Sequence, residues 1–324
     1  MATPDGELQS RMVARDLDAA IAELQAQGYR LDVIMPADNP TMAEMSRRDE
    51  RLRLMVEGAE HAPPNSGGVF SDEFVLTSDD ERDAARDAGR AGMRYRDLIP
   101  NRHGGHVIAS HITIPGSGPV ADYVHHHDIA FQVIFVKSGR VKVVYEDQGD
   151  PFWMEPGDCV LQPPHIRHRV LESADDCEVI EVASPAEHRT FVEHTIDLPT
   201  DTVEATRNFG GQRFCFSQDA EAEWLELAHG WVERVLGIGV ASGGVGEVRV
   251  LRSTQSSADH HLSGHHDGTL CLFFVLEGEL ALDTGLDGGT SALMEGDAVS
   301  IPRATTWKLL AAEPRCSILQ ITMS

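Results

Sequence analysis

An internal repeat constrains the fold of this chain more than any other feature. A single shift of 139 residues superposes turn glycines, a turn proline and apolar residues in both halves of the chain. The matched pairs include Gly104 with Gly243, Gly105 with Gly244, His127 with His266, Phe135 with Phe274, Gly139 with Gly278, Gly157 with Gly296, Asp158 with Asp297 and Pro163 with Pro302. Because one ungapped shift aligns all of them, we expect two similar domains in tandem.

The repeated region has the pattern of short strands. Alternation in Val107–Ile114, the β-branched run Val133–Val136 and the stretches Arg140–Tyr145 and Cys159–Gln162 are separated by Gly, Pro or Asp turns. Runs of this length and composition, without helical spacing, are typical of strands. Many short strands closed by tight turns favour a sandwich or barrel. We therefore predict an all-β fold built from two barrels.

The length of 324 residues fits two barrels of about a hundred residues plus an extension. We place a partly helical N-terminal arm at 1–95, the first barrel at 96–195, an inter-barrel connection at 196–240 and the second barrel at 241–324. The arm is expected to pack against a barrel or a partner subunit.

Two helices are expected in the arm. Leu17, Ile21 and Leu24 recur at helical spacing, with Asp16 able to start that helix and Gly28 able to end it. A second helix is predicted from Asp79 to about Ala91, because acidic residues at its beginning suit a helix N-terminus.

Charge and cysteine content exclude several classes of protein. The 52 acidic and 27 basic residues give a formal net charge of -25, which opposes binding to nucleic acid or to an anionic membrane. The five cysteines form no Cys-x-x-Cys pair, so a disulfide scaffold or a structural zinc knuckle is not favoured. The start of the chain lacks the features of a signal peptide, and no apolar run approaches the roughly 20 residues that span a bilayer. We expect a soluble protein of the reducing cytoplasm.

The first repeat carries a candidate metal site. His125 and His127 are two residues apart, so on a strand both side chains face the same way while His126 faces outward. A turn at Pro156–Asp158 returns the chain so that His168 meets them across the barrel. Three imidazoles aimed at one point are a usual ligand set for a transition metal.

These residues resemble the motifs of the cupin superfamily. The first motif of that family, Gly-x5-His-x-His-x3,4-Glu-x6-Gly, is matched by His125, His127, Gln132 and Gly139, and the second is matched at Gly157, Pro163 and His168. Pro119, His165 and Glu172 replace a Gly, a Gly and an Asn of the usual pattern. The resemblance covers about 104 to 190 and, through the repeat, about 243 to 324. It implies a bicupin made of two double-stranded β-helix (jelly-roll-like) barrels.

Gln132 stands where the family pattern has a glutamate ligand, and its amide oxygen carries no formal charge. The resemblance then implies a core of three neutral histidines (His125, His127 and His168) that binds one divalent ion per chain. This core is similar to that of the iron(II) cupins, among them gentisate dioxygenase, that cleave gentisate-like or β-dicarbonyl substrates or oxidise thiols. Fe(II) is favoured, although imidazole ligands also accommodate Ni, Mn, Cu or Zn. Because the protein leaves the ion's charge uncompensated, we expect a small, anionic, chelating substrate, with O2 as co-substrate.

Three further residues are candidates for a catalytic role. Gln132 is expected to hydrogen-bond a substrate oxygen or a water on the metal. His165 is a candidate acid or base, because histidine titrates near neutrality. His111, on the preceding strand, is a candidate for the pocket wall. Solvated or structural side chains are the alternative for each.

The family resemblance leaves three classes of function open. The first is a dioxygenase, the second an isomerase, decarboxylase or hydrolase in which the metal acts only as a Lewis acid, and the third a non-catalytic bicupin that binds or senses a small ligand. Cupin barrels often pair, so a homodimer is expected by analogy.

The second barrel is expected to lack a metal. Gly264, Cys271 and Trp307 replace His125, Gln132 and His168, and His266 alone stays at a ligand position. We expect Trp307 to fill part of this barrel. The alternative is an unusual site that uses His260, His261 and His265 together with His266.

Overall fold

The structure is a computed structural model that describes residues 10–59, 68–79, 87–88, 90–227, 230–255, 261–286, 289–311 and 314–324. Most of its regular elements are β-strands, which confirms the all-β prediction. In these ranges no helix combines the length and the apolar character needed to cross a membrane.

The N-terminal arm is a small sheet covered by one helix. Its strands are β1 (Ser10–Ala14), β2 (Arg30–Met35), β3 (Met42–Arg47) and β4 (Glu50–Val56). Helix α1 (Leu17–Ala26) begins where the Asp16 carboxylate accepts a hydrogen bond from the Ala19 backbone N–H at 2.9 Å. Gly28, with φ 88°, follows its C-terminus. An acidic N-cap and a glycine after the last turn are common helix boundaries, and the first predicted helix is confirmed.

The second predicted helix is wrong at Asp87–Ala88, and at its end the described residues Arg90–Gly92 form only a short 3-10 helix. After β5 (Val75–Thr77), the described residues Asp87–Ala88 form strand β6, which pairs with β7 (Arg94–Asp97). Residues 80–86 and 89 of the predicted helix lie outside the described residues. The acidic residues at the start of the predicted helix suit a helix N-terminus. Near its end, however, the backbone N–H and C=O groups of Asp87–Ala88 find their partners on β7.

The first barrel is built around two long antiparallel strands, β11 and β14, to which shorter strands attach. Its remaining strands and these two are β8 (Ile108–Ile114), β9 (Gly118–Pro119), β10 (His125–His127), β11 (Phe131–Tyr145), β12 (Phe152–Met154), β13 (Cys159–Leu161), β14 (His168–Ser184) and β15 (Thr190–Val192). The predicted strands are therefore present, with the stretches around 133–136 and 140–145 joined in β11.

Gly139 allows β11 to bend between those two stretches. The ladder between β11 and β14 shifts register on both sides of this residue. Gly139 has φ 63°, and a Cβ there would lie 2.7 Å from the Cα of Cys177. A side chain would meet backbone atoms that cannot move aside, so the turn requires glycine.

Strands from the arm and the connection complete both barrels. The connection contains β16 (Asn208–Phe209), β17 (Gln212–Arg213), β18 (Cys215–Ser217), β19 (Leu225–Glu226), β20 (Trp231–Val235) and helix α2 (Ile238–Ala241). From the arm, β2 pairs with β15, which pairs in turn with β10. From the connection, β18 pairs with β13 of the first barrel. The arm therefore extends the sheet that carries His125 and His127.

The second barrel repeats the frame of the first. Its strands are β21 (Gly246–Ser253), β22 (His261–His266), β23 (Leu270–Glu277), β24 (Leu280–Asp283), β25 (Thr290–Leu293), β26 (Ala298–Ser300), β27 (Thr305–Ala311) and β28 (Ser317–Met323). The arm's β5 pairs with β26, and β20 pairs with β21. The register His125 to His168 in the first barrel recurs as Gly264 to Trp307 in the second. The sequence repeat is thus a repeat of strand pairing.

The two barrels share one apolar interface. Phe131 and Phe135 on β11 pack in the same cluster as Leu272 and Phe274 on β23. Since strand side chains alternate, the intervening residue Ile134 faces the interior of the first barrel. The sheet is thereby covered on both faces, and interior positions of β11 and β14 are screened from water.

Candidate metal centre

Three buried histidines meet inside the first barrel. His125 and His127 lie on β10, and His168 begins β14, where the antiparallel register places it opposite His125. The ring centroids are 4.2 Å apart for His125 and His168, 5.0 Å for His125 and His127, and 5.1 Å for His127 and His168. His126 faces outward and stacks on Phe191, as strand alternation predicts.

Backbone carbonyls fix the tautomers of two rings. The Nδ1 of His125 donates to the Tyr123 carbonyl oxygen at 2.8 Å, and the Nδ1 of His168 donates to the Ile166 carbonyl oxygen at 3.0 Å. A carbonyl oxygen only accepts, so each Nδ1 carries the proton and each Nε2 carries the lone pair. Both carbonyls precede their histidine by two residues, which makes the orientation a local property of the strand.

The third ring is held by a side chain. The Nδ1 of His127 lies 2.9 Å from the hydroxyl of Thr190, a fully buried residue of β15. One ligand atom from each of the three histidines lies within 4.8 Å of the others, and the described residues contain no second group of this kind. Such outer partners commonly orient the imidazoles that bind a metal. The trio therefore fits a divalent transition metal in geometry and in donor chemistry.

Glu181 is an acidic side chain beside the cluster that the sequence analysis did not anticipate. Its Oε1 accepts a hydrogen bond from the Gln132 Nε2 at 2.5 Å. On β14, Val179 and Glu181 face the interior of the barrel, whereas Ile180 and Val182 belong to the inter-barrel cluster. The buried Oε1 of Gln132 has no hydrogen-bond partner. Glu181 lines the same cavities as the histidines, although it does not belong to the described group that is close enough to share a metal ion.

Two cavities meet at the histidines, and Glu181 lines both. The metal cavity, of about 70 Å³, touches His125 and His168. Its other walls are mostly apolar and comprise Met93, Tyr95, Ile112, Ile114, Ile134, Val141, Val143, Tyr145, Met154, Gln162, Arg169, Val170 and Val179. The arm chamber, of about 40 Å³, touches His127 and is lined also by Ala37, Asp38, Tyr95, Ile108, Ser110, Ala186 and His188.

Gln162 gives the metal cavity an oriented polar group. The Tyr145 hydroxyl donates to the Gln162 Oε1 at 2.6 Å, and the buried Nε2 of Gln162 has no hydrogen-bond partner. Burial, reinforced by the charge of Glu181, raises the pKa of Tyr145 far above its ordinary value, so the phenol stays a donor. The hydrogen bond from Tyr145 therefore orients the Gln162 amide so that its Nε2 group is left to donate to a ligand in the cavity.

His165 lies outside both cavities. Its backbone has φ 60°, its Nδ1 lies 3.2 Å from the Nδ1 of His126, and its ring is about half exposed. Burial, together with the nearby charge of Arg167, lowers the pKa of His126 to about 3. The predicted acid or base thus belongs to an outward-facing histidine pair, and its catalytic role is not supported by this position.

His111 also lies away from the cavities, so its assignment to the pocket wall is corrected. Its Nε2 is 2.6 Å from a Glu178 carboxylate oxygen, and its Nδ1 is 3.4 Å from the Arg96 guanidinium. The ring meets Phe274 of the second barrel edge-on. The neighbours Ser110 and Ile112 face the cavities instead. His111 is therefore an interface residue.

Several polar residues that line the cavities were not among the predicted site residues. Gln162 immediately precedes the Pro163 of the second motif, and Glu181 interrupts an apolar strand at an inward position. Polar residues at inward strand positions are a signal that could have identified both. Asp38 and His188 come from loops, so no periodicity points to them.

An indole fills the corresponding position in the second barrel. Trp307 is buried among Phe273, Leu282 and other side chains of that core, as expected. A Cβ on Gly264 would lie 2.3 Å from the Trp307 ring. The indole thus occupies the space in which the His125 side chain stands in the first barrel.

The other histidines of the second barrel do not form a cluster where they are described. His265 is half exposed and contacts Asp267 at 3.0 Å, whereas His266 on the same strand is buried. His260 lies outside the described residues. That this barrel holds no metal stays a prediction.

The chain folds into two barrels in tandem, and the first barrel carries the inward histidine trio. Residues 110–183 match the family model described as Cupin domain. The match lies within the first barrel, and the second barrel repeats its fold. Comparison with curated protein sequences gives no significant match.

Several solved structures have a similar fold. A variant of salicylate 1,2-dioxygenase from Pseudoaminobacter salicylatoxidans is 15% identical, with TM-score 0.57, over 78% of this chain and 84% of that one. A variant of oxalate decarboxylase OxdC from Bacillus subtilis is 12% identical, with TM-score 0.55, over 83% and 79%. Ylba from E. coli is 12% identical, with TM-score 0.53, over 82% and 95%. At these identities the likeness concerns the fold.

Proposed function

We propose that the protein is a metal-dependent enzyme, in the first place an Fe(II) dioxygenase that acts on a small aromatic or enolisable acid or a dicarbonyl compound. The buried convergence of His125, His127 and His168, with each Nδ1 held by a second group, carries this proposal. A bound divalent ion would supply Lewis acidity and, as iron(II), electrons for reaction with O2. The fold is similar to the folds of a dioxygenase and a decarboxylase, which supports a metal-dependent reaction.

Charge balance favours an anionic, chelating substrate. Three neutral imidazoles leave both positive charges of a divalent ion uncompensated by its ligands. Two carboxyl groups lie nearby without belonging to the ligand group: Glu181, and the buried Asp122, whose Oδ1 is 3.7 Å from the Nδ1 of His125. A substrate carboxylate or enolate would place negative charge directly on the ion.

The walls of the metal cavity favour a compact substrate with an apolar body. Ile112, Val143 and Met154 line a volume of about 70 Å³, whereas roughly 10–15 Å³ suffices for one water molecule. The same walls exclude water from the histidines once a substrate fills the space. The oriented Nε2 of Gln162 is suited to donate to a substrate oxygen, since a buried donor without a partner is costly.

A reaction that does not consume oxygen is the second candidate, and Glu181 favours it. A carboxylate on the wall of the metal cavity is a group that can take a proton from a bound substrate and return it. An isomerase, decarboxylase or hydrolase needs such a group together with a Lewis acid. A bicupin that binds or senses its ligand without turnover is the third candidate.

Oxygen consumption separates these candidates. Protein reconstituted with iron(II) is given gentisate-like, flavonol and β-dicarbonyl compounds in an oxygen electrode, with product analysis in air and under argon. Uptake that matches product formation supports the dioxygenase. Product formed equally under argon rejects it in favour of the second candidate, and binding without any product supports the third.

We also propose a homodimer in the cytoplasm. The sheet edge at β1 exposes Val13 at 66%, and an edge strand with an exposed apolar side chain can pair with another chain. The five cysteines are unpaired thiols, which suits a reducing compartment. Light scattering that returned a mass near 35.4 kDa would reject the dimer.

A further inference from the structure

The arm chamber is a second polar site beside the metal centre. It lies between the loop after β2 and the first barrel, and it touches His127. Besides His127, its titratable lining groups are Asp38 from the arm, Tyr95 from β7, Glu181 from β14 and His188 from the loop before β15. The arm therefore contributes a charged group to the surroundings of the metal site.

His188 offers a hydrogen-bond acceptor to this chamber. Its Nδ1 is 2.8 Å from the Pro185 carbonyl oxygen, which fixes the proton on Nδ1 in the neutral ring. Its Nε2 is buried and has no hydrogen-bond partner, and the residue is 2% exposed. An unpartnered buried acceptor is unfavourable, so the Nε2 indicates a ligand that brings a donor.

Asp38 offers a second acceptor, with a negative charge. Its Oδ2 accepts a hydrogen bond from Arg102 at 2.7 Å, and Arg102 is shared with Asp97 at 3.0 Å. The other oxygen of Asp38, Oδ1, is buried without a partner. One arginine between two carboxylates leaves the surroundings of Asp38 with a net negative charge when both are ionised. The two buried lining atoms that lack a partner, Asp38 Oδ1 and His188 Nε2, are thus both acceptors, and the carboxyl groups of Asp38 and Glu181 make the chamber electrically negative when ionised.

These features point to a positively charged ligand group with N–H donors. A metal ion is a poor fit, because neither Asp38 nor His188 belongs to the one described group that is close enough to hold it. A hydroxyl group brings one donor and no charge, whereas an ammonium group brings three donors and a positive charge. The volume of about 40 Å³ suits a group of that size. We propose that the arm chamber binds a primary ammonium group.

The ammonium group has two chemical sources, either a free ammonium ion or an amino group of the substrate. The second source rests on the proposed function, since a substrate held at the histidines by its anionic end would extend its amino group past His127. The substrate would then be a small amino-substituted acid. Affinity of the chamber for ammonium compounds does not depend on the metal.

The first experiment measures thermal stabilisation of the full-length protein, as purified and after removal of metal with a chelator. The probes are methylammonium chloride, sodium chloride at equal ionic strength, and methanol as a neutral molecule of similar size. Stabilisation should saturate only with methylammonium, which yields a Kd through ligand linkage. The Asp38→Asn and His188→Asn variants should weaken that Kd about tenfold or more, as expected for loss of a charged or a buried partner. Asp32→Asn, which changes an arm carboxylate paired with Arg30 outside the chamber, is the matched control.

Equal responses to the three probes would overturn the proposal, and so would a wild-type response in both Asp38→Asn and His188→Asn. If methanol stabilised the protein as strongly as methylammonium, the ligand group would be a neutral hydrogen-bond donor and not an ammonium group. A response that persists in the metal-stripped protein keeps the proposal even if no enzymatic activity is found.

The second experiment identifies the source of the ammonium group. Binding of β-alanine and of propionate to cobalt-loaded protein is followed through the visible spectrum of the metal. Tighter binding of β-alanine by about tenfold, abolished in Asp38→Asn, assigns the ammonium group to the substrate. Equal binding of the two acids, with methylammonium still bound, assigns the chamber to free ammonium.

Discussion

The two barrels have the same strand register but different interiors. Interior pairs of the first barrel, Gln132 with Glu181 and His125 with His168, correspond in the second to Cys271 with Gln320 and Gly264 with Trp307. At Gln162 the second barrel has Ile301, which lies in its apolar core. The frame therefore accepts Gly, Trp and Ile at three of these positions and keeps a polar residue, Gln320, at the position of Glu181. The presence of polar side chains at those three positions of the first barrel is best explained by the site that they form.

Size compensation shows how the second barrel adapts to the same frame. Trp307 is much larger than the histidine at the matching position, and Gly264 is the smallest residue at the other. Their antiparallel pairing places the indole over the glycine. A large residue opposite a small one keeps the packing dense without a cavity. The two barrels therefore differ by two linked substitutions, a larger residue at one position and a smaller residue at its partner, and not only by the loss of individual ligands.

The largest expected effect is on metal content. His127→Ala should reduce bound metal from one equivalent per chain to near zero, because two imidazoles hold a labile divalent ion weakly. The matched variant His266→Ala, at the repeat position in the second barrel, should leave the content unchanged. Elemental analysis of both proteins measures this. Metal loss in His266→Ala, or two equivalents in the unaltered protein, would contradict the assignment of a single site to the first barrel.

The second prediction concerns the pairing of Gly264 with Trp307. Gly264→Ala should lower the free energy of unfolding by about 1–3 kcal/mol, because its Cβ would overlap the buried indole. Urea denaturation measures the change, and a double-mutant cycle with Trp307→Leu provides the control. The two substitutions should be strongly non-additive, since a smaller side chain gives the new methyl group room. Additive effects would show that the two residues do not compete for one space.

Much of the metal centre could be predicted from the sequence because its geometry is local. The spacing of His125 and His127 fixes a shared strand face, and the turn at Pro156–Asp158 indicates that the chain returns with His168 opposite them, as the register shows. The position of His111 could not be predicted in this way. Its strand is buried on both faces, by the barrel interior and by the barrel interface, so hydrophobic alternation no longer indicates which face is which.

The polar surroundings of the site depend on distant pairings that the sequence does not encode locally. Glu181 reaches Gln132 across the β11–β14 ladder, and Asp38 reaches the chamber only because β2 joins β15. The predicted helix after Asp79 was wrong for a related reason. At Asp87–Ala88 the pairing with β7 prevailed over the local preference for a helix.

The third prediction tests the oriented amide of the metal cavity. Gln162→Ile, which introduces the residue of the second barrel, should raise the KM or Kd of an anionic substrate about tenfold by removing one buried donor. Tyr145→Phe should be combined with it, because the tyrosine hydroxyl would otherwise lose its acceptor. The double variant should keep its metal content and its thermal stability. Unchanged substrate affinity in the double variant would remove Gln162 from the binding site.

The smallest effect is expected at the barrel interface, at the pair His111 and Glu178. The hydrogen bond from His111 and the charges of His111 and Lys137 outweigh burial and lower the pKa of Glu178 to about 2, from an ordinary value of 4.5. A carboxyl whose pKa is lower in the folded state stabilises the fold above its unfolded pKa. That contribution disappears as the pH falls from 4.5 towards 2.

Glu178→Gln should therefore cost about 1 kcal/mol at pH 7, a modest figure because solvent partly screens the carboxylate. The difference from the unaltered protein should shrink below pH 4.5, where the Glu178 carboxyl of the unfolded chain binds a proton, and should vanish near pH 2, where the native carboxyl is also protonated. Chemical denaturation between pH 3 and pH 7 measures it. Arg96, Lys137 and Glu295 also lie near this pair, so Glu295→Gln, farther from the imidazole, is the control. A difference in the free energy of unfolding that does not change with pH would mean that Glu178 stabilises the protein by packing and not by its charge. In that respect the barrel interface would resemble the core of the second barrel more than the polar site of the first.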